Sequence, residues 1–242
     1  MIDFHTHILP NIDDGSVDME ETINIIKEAK DVGFTGIIST SHYMQNYCED
    51  NVAERTQLIE QVKEKLQQNF LELYLGSEIY ITNEIVELIK NSKASTINNT
   101  KYVLFELPMN AKPLFAKEVV YTLVENGYKP IIAHPERYSY VQKDVKYIKE
   151  LIDLGVLLQA NYGSIIGMYG GKAKKTLKKM LKEDLISFFG SDVHRTNQIY
   201  PQIPKILKKL KKIISAQRLE ELTSLNAQKV LNNEDIFDNE VT

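Results

Sequence analysis

The first fifteen residues, Met1-Ile-Asp-Phe-His-Thr-His-Ile-Leu-Pro-Asn-Ile-Asp-Asp-Gly15, begin as a short apolar strand and turn polar. Side chains at i and i+2 of a strand share a face, so His5 and His7 converge as two ligands of one metal ion would. Pro10 and Gly15 break the strand, and the loop between them can return a carboxylate to the same place. Asp14 is the candidate; Asp13 either competes for that slot or caps the following turn. The chain keeps supplying such groups: His42, Glu78, Glu106, His134, and a second i, i+2 pair, Asp192 and His194. A set of imidazoles and carboxylates without sulfur suits manganese, zinc, iron or magnesium. Nine candidate ligands are too many for one ion and enough for two or three. Clustered divalent ions with open positions activate water and clamp the oxygens of a phosphoryl group. Arg137, three residues past His134, would repel cations, so its place in His-Pro-Glu-Arg-Tyr points to an anionic substrate such as phosphate, held bidentately. Arg195 is a second candidate, and a surface salt bridge is the alternative for both.

The elements that must position these groups alternate along the chain. Predicted strands are Ile2–His7, Thr35–Thr40, Leu71–Gly76, Tyr102–Glu106, Lys129–Ala133, Val156–Ala160 and Leu185–Gly190. Predicted helices follow them near Met19–Val32, Asn51–Phe70 (with Leu58, Val62 and Leu66 facing in), Asn83–Ile89, Phe115–Asn126, Val145–Leu154 and Ala173–Lys182. Two more, about Ile203–Ser215 and Leu219–Leu231, finish the chain. Asp18 stands as N-cap of the first, with Glu21 at the capping-box spacing. Seven β-then-α units without a linker argue for one domain, 1–242, with a parallel sheet. All five histidines fall at C-terminal strand ends. Ligands from strands one to five and seven can meet only if the sheet closes, because the edges of an open seven-stranded sheet lie ~25 Å apart at about 4.8 Å per strand. The expected fold class is therefore α/β, a distorted (β/α)7 TIM-like barrel with its site at the carboxyl end of the strands.

Composition excludes several classes. One cysteine, Cys48, allows neither a disulfide framework nor a thiolate metal site. It also fails a cysteine-phosphatase loop: Cys-x5-Arg needs arginine at 54, where Glu54 stands and Arg55 is one residue late. No run of about 18 apolar residues exists to span a membrane, and no export signal precedes the first strand, so a cytoplasmic protein is expected. The net charge of −4 hides an asymmetry: residues 172–212 hold twelve Lys/Arg against three acids, so the remainder sums to −13. A chain this acidic elsewhere is not a general nucleic-acid binder. The basic stretch makes amphipathic helices. In the later one Ile203, Ile206, Leu207, Leu210, Ile213 and Ile214 oppose Lys205, Lys208, Lys209 and Lys212, as in a helix coating a sheet with a solvated lysine face. Weak contact with a membrane surface or an acidic partner is the other reading of 172–212. Tyr43, Tyr47, Tyr138, Tyr140, Tyr162 and Tyr169 lie in predicted loops on the ligand side, either lining a cleft or simply occupying loops. Residues 161–171, with four glycines, form either a movable flap or an ordinary loop.

The His-x-His opening, His42, Glu78, His134-Pro-Glu-Arg137 and Asp192-x-His194 resemble the PHP (polymerase and histidinol phosphatase) superfamily. Asp13-Asp14-Gly15, Thr40-Ser41-His42, Gly76-Ser77-Glu78-Ile79-Tyr80 and Ala133–Tyr138 are similar to one branch, bacterial metal-dependent tyrosine phosphatases of capsular and exopolysaccharide gene clusters. The resemblance runs from Met1 to about Leu231. It implies three metals, often manganese: one on His5, His7, Glu78 and Asp192, a second on Glu78, Glu106 and His134, and a third on Asp14, His42 and His194. It implies phosphate binding by Arg137 and hydrolysis of a phosphotyrosyl protein, such as a bacterial tyrosine kinase tail, by a metal-bridging hydroxide. The family pattern also implies another arginine beyond the Asp-x-His pair, where this chain has Thr196–Tyr200; Arg195 is the substitute at hand. A small-molecule phosphatase of the histidinol phosphate type, a PHP exonuclease and a silent metal-binding scaffold are the rival expectations.

Overall fold

The computed structural model describes residues 1–49, 51–66 and 70–236. Strand β1 (Ile2–Thr6) is buried along its whole length. Asp18 caps α1 (Met19–Asp31) by accepting the Glu21 amide, while the Glu21 carboxylate accepts from Val17 rather than from the cap's own amide. The predicted second and third strands form as single pieces, and each is followed by a short strand that was not predicted: β2 (Gly36–Ser39) by β3 (His42–Tyr43), then, after α2 (Val52–Lys65), β4 (Glu72–Leu75) by β5 (Glu78–Tyr80). Asn51 and Glu54 close a full capping box on α2. Its buried face is Arg55, Ile59 and Val62, with Leu58 only partly buried, and it ends at Lys65. The predicted continuation through 67–69 lies outside the described residues. Then follow α3 (Ile85–Lys90), β6 (Tyr102–Glu106), α4 (Ala116–Glu125), β7 (Lys129–Ala133), α5 (Ser139–Lys143), α6 (Lys146–Ile152), β8 (Leu157–Asn161), α7 (Gly170–Lys182) and β9 (Phe188–Gly190). The chain closes with α8 (Ile203–Leu210), α9 (Ala216–Glu220), a π-turn (Glu221–Leu225) and α10 (Asn226–Leu231). Among the described residues no helix is long and apolar enough to cross a membrane.

Every strand pair is parallel. One sheet runs β1-β2-β4 and the other β3-β5-β6-β7-β8-β9. Because β2 leads into β3 and β4 into β5, the two are consecutive parts of one curled surface. The curl brings the first and last strands together: His7 donates its amide to Val193 O at 3.0 Å and Asp192 its amide to His5 O at 2.8 Å. Buried Asp3 accepts from the Ser191 amide (2.7 Å) and the Tyr200 hydroxyl (2.9 Å), and Phe4 stacks on Phe188. Both faces of the sheet are apolar, as parallel sheets require. Ile2, Phe4, Ile38, Leu104, Ile131 and Phe188 fill the inside of the curl, with Ala227 and Val230 among them, while alternate residues such as Ile37, Phe105, Ile132 and Leu158 pack under the helices. On β1 the pairing with β2 shifts register between Asp3 and Thr6. A bulge of this kind re-aims side chains beside a site. In α8, Ile203, Ile206 and Leu210 are buried and Lys205 and Lys208 exposed, the arrangement of a sheet-coating helix.

The β1–β9 contact leaves no room for a side chain at Gly190. A Cβ there would lie 2.5 Å from His5 Cβ and 2.9 Å from its backbone nitrogen. Gly190→Ala is expected to lower stability by about 1–3 kcal/mol, the usual range for overpacking, read as a lower urea midpoint. An unchanged midpoint would mean the two strands are not held edge to edge.

Candidate metal centre

All nine predicted ligands come together at the carboxyl ends of the strands. His5 and His7 end β1, His42 opens β3, Glu78 opens β5, Glu106 closes β6, His134 follows β7, and Asp192 and His194 follow β9. Asp14 reaches in from the loop before α1, its side chain 60% exposed at the mouth. His5 Nε2 lies 3.5 Å from Glu78 Oε2 and 3.3 Å from Asp192 Oδ1, and His7 Nε2 is 3.4 Å from each of the same two atoms. On the outer side Asp14 Oδ1 is 3.3 Å from His194 Nε2 and 3.6 Å from His42 Nε2. His42 Nδ1 meanwhile stands 3.1 Å from Glu78 Oε2 and 3.6 Å from Glu106 Oε1. The implied set of Glu78, Glu106 and His134 does not form a single group: Glu106 gathers with His42 and Glu78, and His134 with His5 and Asp192. Each of the two still touches or neighbours Glu78, His134 Nε2 at 2.8 Å from its Oε1.

These residues fit metal ions. Bonds of about 2.0–2.2 Å to nitrogen and oxygen put neighbouring ligand atoms roughly 3–3.5 Å apart, the spacing seen here. His5 Nε2, His7 Nε2, Glu78 Oε2 and His134 Nδ1 are buried without a hydrogen-bond partner, which costs stability unless something else binds them. The opposite ring nitrogens are occupied: His5 Nδ1 by Thr40 Oγ1 (2.7 Å), His7 Nδ1 by Asp13 Oδ2 (2.8 Å), His194 Nδ1 by the Asp192 carbonyl (2.9 Å). Such partners orient metal-binding imidazoles. Asp13 thus holds His7 from behind and accepts the His42 and Gly15 amides as well; Asp14 is the carboxylate that gathers with His7, His42 and His194. A Cβ on Gly15 would sit 2.6 Å from His7 Cβ, so the loop must have glycine there to lie against β1.

Sequence reasoning missed several supporting groups. Arg55, 1% exposed, donates to the Ser41 and His42 carbonyls and to Ser77 Oγ, tying together the two breaks that start β3 and β5. Its signal was available: Arg55, Ile59, Val62 and Leu66 share one helical face. Asn161 donates to Asp192 Oδ2 at 2.7 Å, and Gln159 accepts the His134 amide. His134 and Asp192 both hold left-handed backbone, φ 34° and 55°, an uncommon state for such residues that clusters at functional sites.

The carboxylates divide electrostatically. Burial would raise Glu78, but His5, His42 and His134 overcome it and hold the group well below its ordinary range. Asp192 is held low in the same way, against burial, by the imidazoles of His5 and His7 at 3.3 and 3.4 Å from its Oδ1. Glu106 goes the other way, to about 9, through burial and then the negative charges of Glu78 and Asp192. His42 and His134 are lowered, chiefly by burial, which keeps their lone pairs available.

A cavity of about 300 Å³ opens over the cluster, lined by Asp14, His42, Glu106, Arg137 and Tyr169 among others. Arg137 Nη1 meets Asp192 Oδ2 at 2.5 Å, and its guanidinium lies 4.4 Å from the centre of the Tyr169 ring. Arg195 is differently placed. Its Nη1 donates to the Asp14, Gly15 and His194 carbonyls, which braces the Asp14 loop and leaves that nitrogen turned from the cavity. Of the six tyrosines only Tyr169 lines it. Tyr43, Tyr138 and Tyr162 are buried in the core, Tyr140 stacks on Tyr138, and Tyr47 is exposed. Segment 161–171 is a wall in its first half: Ser164 Oγ and the Asn161 amide are pinned to Glu136 Oε1. Cys48 is buried in the loop after β3, its carbonyl accepting the Met44 amide, and is not among the cavity's lining residues.

The metal-free protein should therefore lose stability as pH rises. The folded chain holds the Glu106 proton up to about 9 and the unfolded chain releases it near 4.5, so between those values the folded state binds more protons and its stability falls with pH. Melting of chelated protein between pH 6 and 9 should show this decline, weaker in Glu106→Gln. Metal loading at pH 7 should release about one proton less from that variant. A melting temperature that climbed with pH under chelation would contradict the assignment.

Residues 1–232 match the family described as capsular polysaccharide synthesis, CpsB/CapC. The chain is 34% identical to CapC of Staphylococcus aureus over 98% of its own length and 93% of that protein. It is 30% identical to the tyrosine-protein phosphatase YwqE of Bacillus subtilis, over 98% and 94%. It superposes with a TM-score of 0.89 and 31% identity, over 98% of this chain and 96% of the other, on a crystal structure from work on YwqE of Bacillus subtilis and CpsB of Streptococcus pneumoniae, described there as metal-dependent tyrosine phosphatases. With nearly its whole length matched and the ligand cluster assembled, this chain belongs to the CpsB/CapC family of capsular polysaccharide synthesis.

Proposed function

We propose that this protein is a metal-dependent protein-tyrosine phosphatase that acts in the cytoplasm on a phosphotyrosyl protein, a bacterial tyrosine kinase of capsule or exopolysaccharide synthesis. The names of its relatives support the substrate class. The hydrogen bonds joining β1 to β9, with parallel pairing throughout, support a single domain built as a distorted (β/α)7 barrel of the PHP type. The observation that carries the chemistry is Arg137, a fixed cation stacked on Tyr169 in the same cavity as the ligand cluster. A cation kept among metal ligands, with a face open to the cavity, favours an anionic substrate.

Two or three divalent ions, manganese first among them, would be held by His5, His7, Glu78 and Asp192 inside and by Asp14, His42 and His194 outside, with Glu106 and His134 flanking Glu78. When bound, they supply an activated water and neutralise charge on the phosphoryl oxygens. The protein's own groups do the rest. Arg137 exchanges part of its hold on Asp192 for the phosphoryl oxygens, whose growing charge it stabilises in a bidentate contact. Tyr169 keeps the guanidinium in plane, and Asn161 remains on Asp192 Oδ2 so that this carboxylate does not turn with it. Thr40 and Asp13 fix His5 and His7 with Nε2 inward. No side chain has to form a phosphoenzyme.

Turnover of a phosphotyrosyl peptide, a phosphoseryl peptide, histidinol phosphate and a single-stranded oligonucleotide, with Mn²⁺ and with chelator, tests this. The phosphotyrosyl peptide with Mn²⁺ should lead. Histidinol phosphate or the oligonucleotide leading would replace the substrate, and no turnover with lost thermal stability on chelation would leave a scaffold. Arg137→Ala should lower kcat/KM by about 10²–10³-fold and His42→Ala should nearly abolish it. Arg195→Ala should act through stability, and Cys48→Ser should leave kcat unchanged. Activity lost in Cys48→Ser and kept in His42→Ala would overturn the mechanism.

A further inference from the structure

Beside the metal cavity, α5 and α7 enclose a groove of about 430 Å³ lined by Lys143, Lys172, Lys175 and Lys179, with Gln142 and Thr176 in its walls. Lys172, Lys175 and Lys179 recur at i, i+3 and i+7, one face of α7, and all four lysines are exposed. Among the described residues no carboxylate lies within 4.0 Å of Lys143, Lys172 or Lys175. Lys179 has only Glu183 at 4.0 Å, and that carboxylate already holds Lys149 at 2.7 Å. Like charges gathered on one face repel one another, so this groove is built for an anion the chain does not itself provide. Both of its walls start at the catalytic cavity: α5 begins two residues after Arg137, and α7 begins one residue after Tyr169, which lies over that arginine. Gln142 Nε2 donates to the Glu136 and Arg137 carbonyls, fastening the groove to the arginine's backbone.

We propose that the groove binds an acidic segment of the same protein substrate, next to the phosphotyrosine; the proposal rests on the phosphatase reading above. Geometry sets the register. At 1.5 Å per helical residue, Lys172, Lys175 and Lys179 stand roughly 5, 9 and 15 Å along α7 from Tyr169. An extended peptide covers about 3.3 Å per residue. Carboxylates within about two to five residues of the phosphotyrosine therefore come within reach of the lysine row.

Two phosphotyrosyl peptides of equal length test this, one with Glu at those positions and one with Gln, alongside p-nitrophenyl phosphate. At low salt the acidic peptide should have kcat/KM about tenfold higher, through KM rather than kcat, and added salt should shrink the difference. Lys172→Gln/Lys175→Gln/Lys179→Gln should remove the preference, and the triple Lys→Glu variant should reverse it, both hydrolysing p-nitrophenyl phosphate as the parent does. Equal kcat/KM for the two peptides would overturn the proposal. So would loss of binding to vesicles containing phosphatidylserine in the variants without any change in peptide preference, since a lipid surface would then be the occupant. Failure to hydrolyse any of the three substrates would instead remove the phosphatase reading itself.

Discussion

Three imidazole nitrogens crowd one carboxylate oxygen at the centre of this molecule. His42 Nδ1, His7 Nε2 and His5 Nε2 stand 3.1, 3.4 and 3.5 Å from Glu78 Oε2, which is buried and accepts no hydrogen bond. Protons do not resolve this arrangement, because the geometry between the atoms is not that of hydrogen bonds. Left alone, so many desolvated polar atoms would cost several kcal/mol. The surroundings are organised to impose the crowding all the same. Asp13 and Thr40 push two rings inward, Arg55 pins the strand breaks that launch His42 and Glu78, and Gly190 lets β9 lie against His5. Structure that enforces an unfavourable cluster of ligand atoms is preorganised for the cation that relieves it.

Most of that organisation is written where the chain changes character. Tyr102–Glu106 and Lys129–Ala133 are strands with the boundaries that their apolar runs and following polar residues predict. The ligand residues stand out because a histidine or acid directly after such a run has nowhere to go but the carboxyl rim. What could not be read depends on contacts distant in sequence. Strands β3 and β5 are two and three residues long, too short for any periodicity, and exist because Arg55 and the neighbouring strands hold them. On α2, Val62 and Leu66 face in as their spacing predicts, but Ile59 and not Leu58 completes the face, because an arginine on an apolar face looks like a solvated residue until its acceptors are known. The bulge on β1 is likewise invisible: the i, i+2 relation puts His5 with His7 but gives no sign that the pairing with β2 shifts between Asp3 and Thr6. The tyrosines were ambiguous for the opposite reason. Loop position says nothing about burial, and Tyr43, Tyr138 and Tyr162 turned inward to fill the core.

The two arginines show how far apart similar sequence positions can end. Each follows a ligand histidine by three residues or fewer. Arg137 sits in a 3-10 turn, Pro135–Arg137, launched by the left-handed backbone of His134, and that turn aims its guanidinium back over Asp192. Arg195 directly follows His194 in the loop after β9 and spends Nη1 on carbonyls of the Asp14 loop. The first is left with a face toward the cavity and the second keeps a ligand loop in place.

Charge bookkeeping over the cavity limits how this site can meet a phosphate. Asp14, Glu78, Glu106 and Asp192 line it, with Arg137 as the fixed cation, so with neutral imidazoles and ionised acids the lining carries −3. The protonation of Glu106 at neutral pH softens this to −2. Either value repels a phosphate dianion, and Arg137 alone cannot reverse it while Asp192 holds it. A single divalent ion, on displacing the Glu106 proton, leaves the lining at −1; two bring it to +1 and three to +3. On that count attraction for the substrate would begin with the second ion, in keeping with the proposed use of nine ligands where four would bind one metal well. The same reasoning explains why the carboxylates outnumber what phosphate binding alone would tolerate: their purpose is to hold cations, and the anion is recognised by the excess that remains.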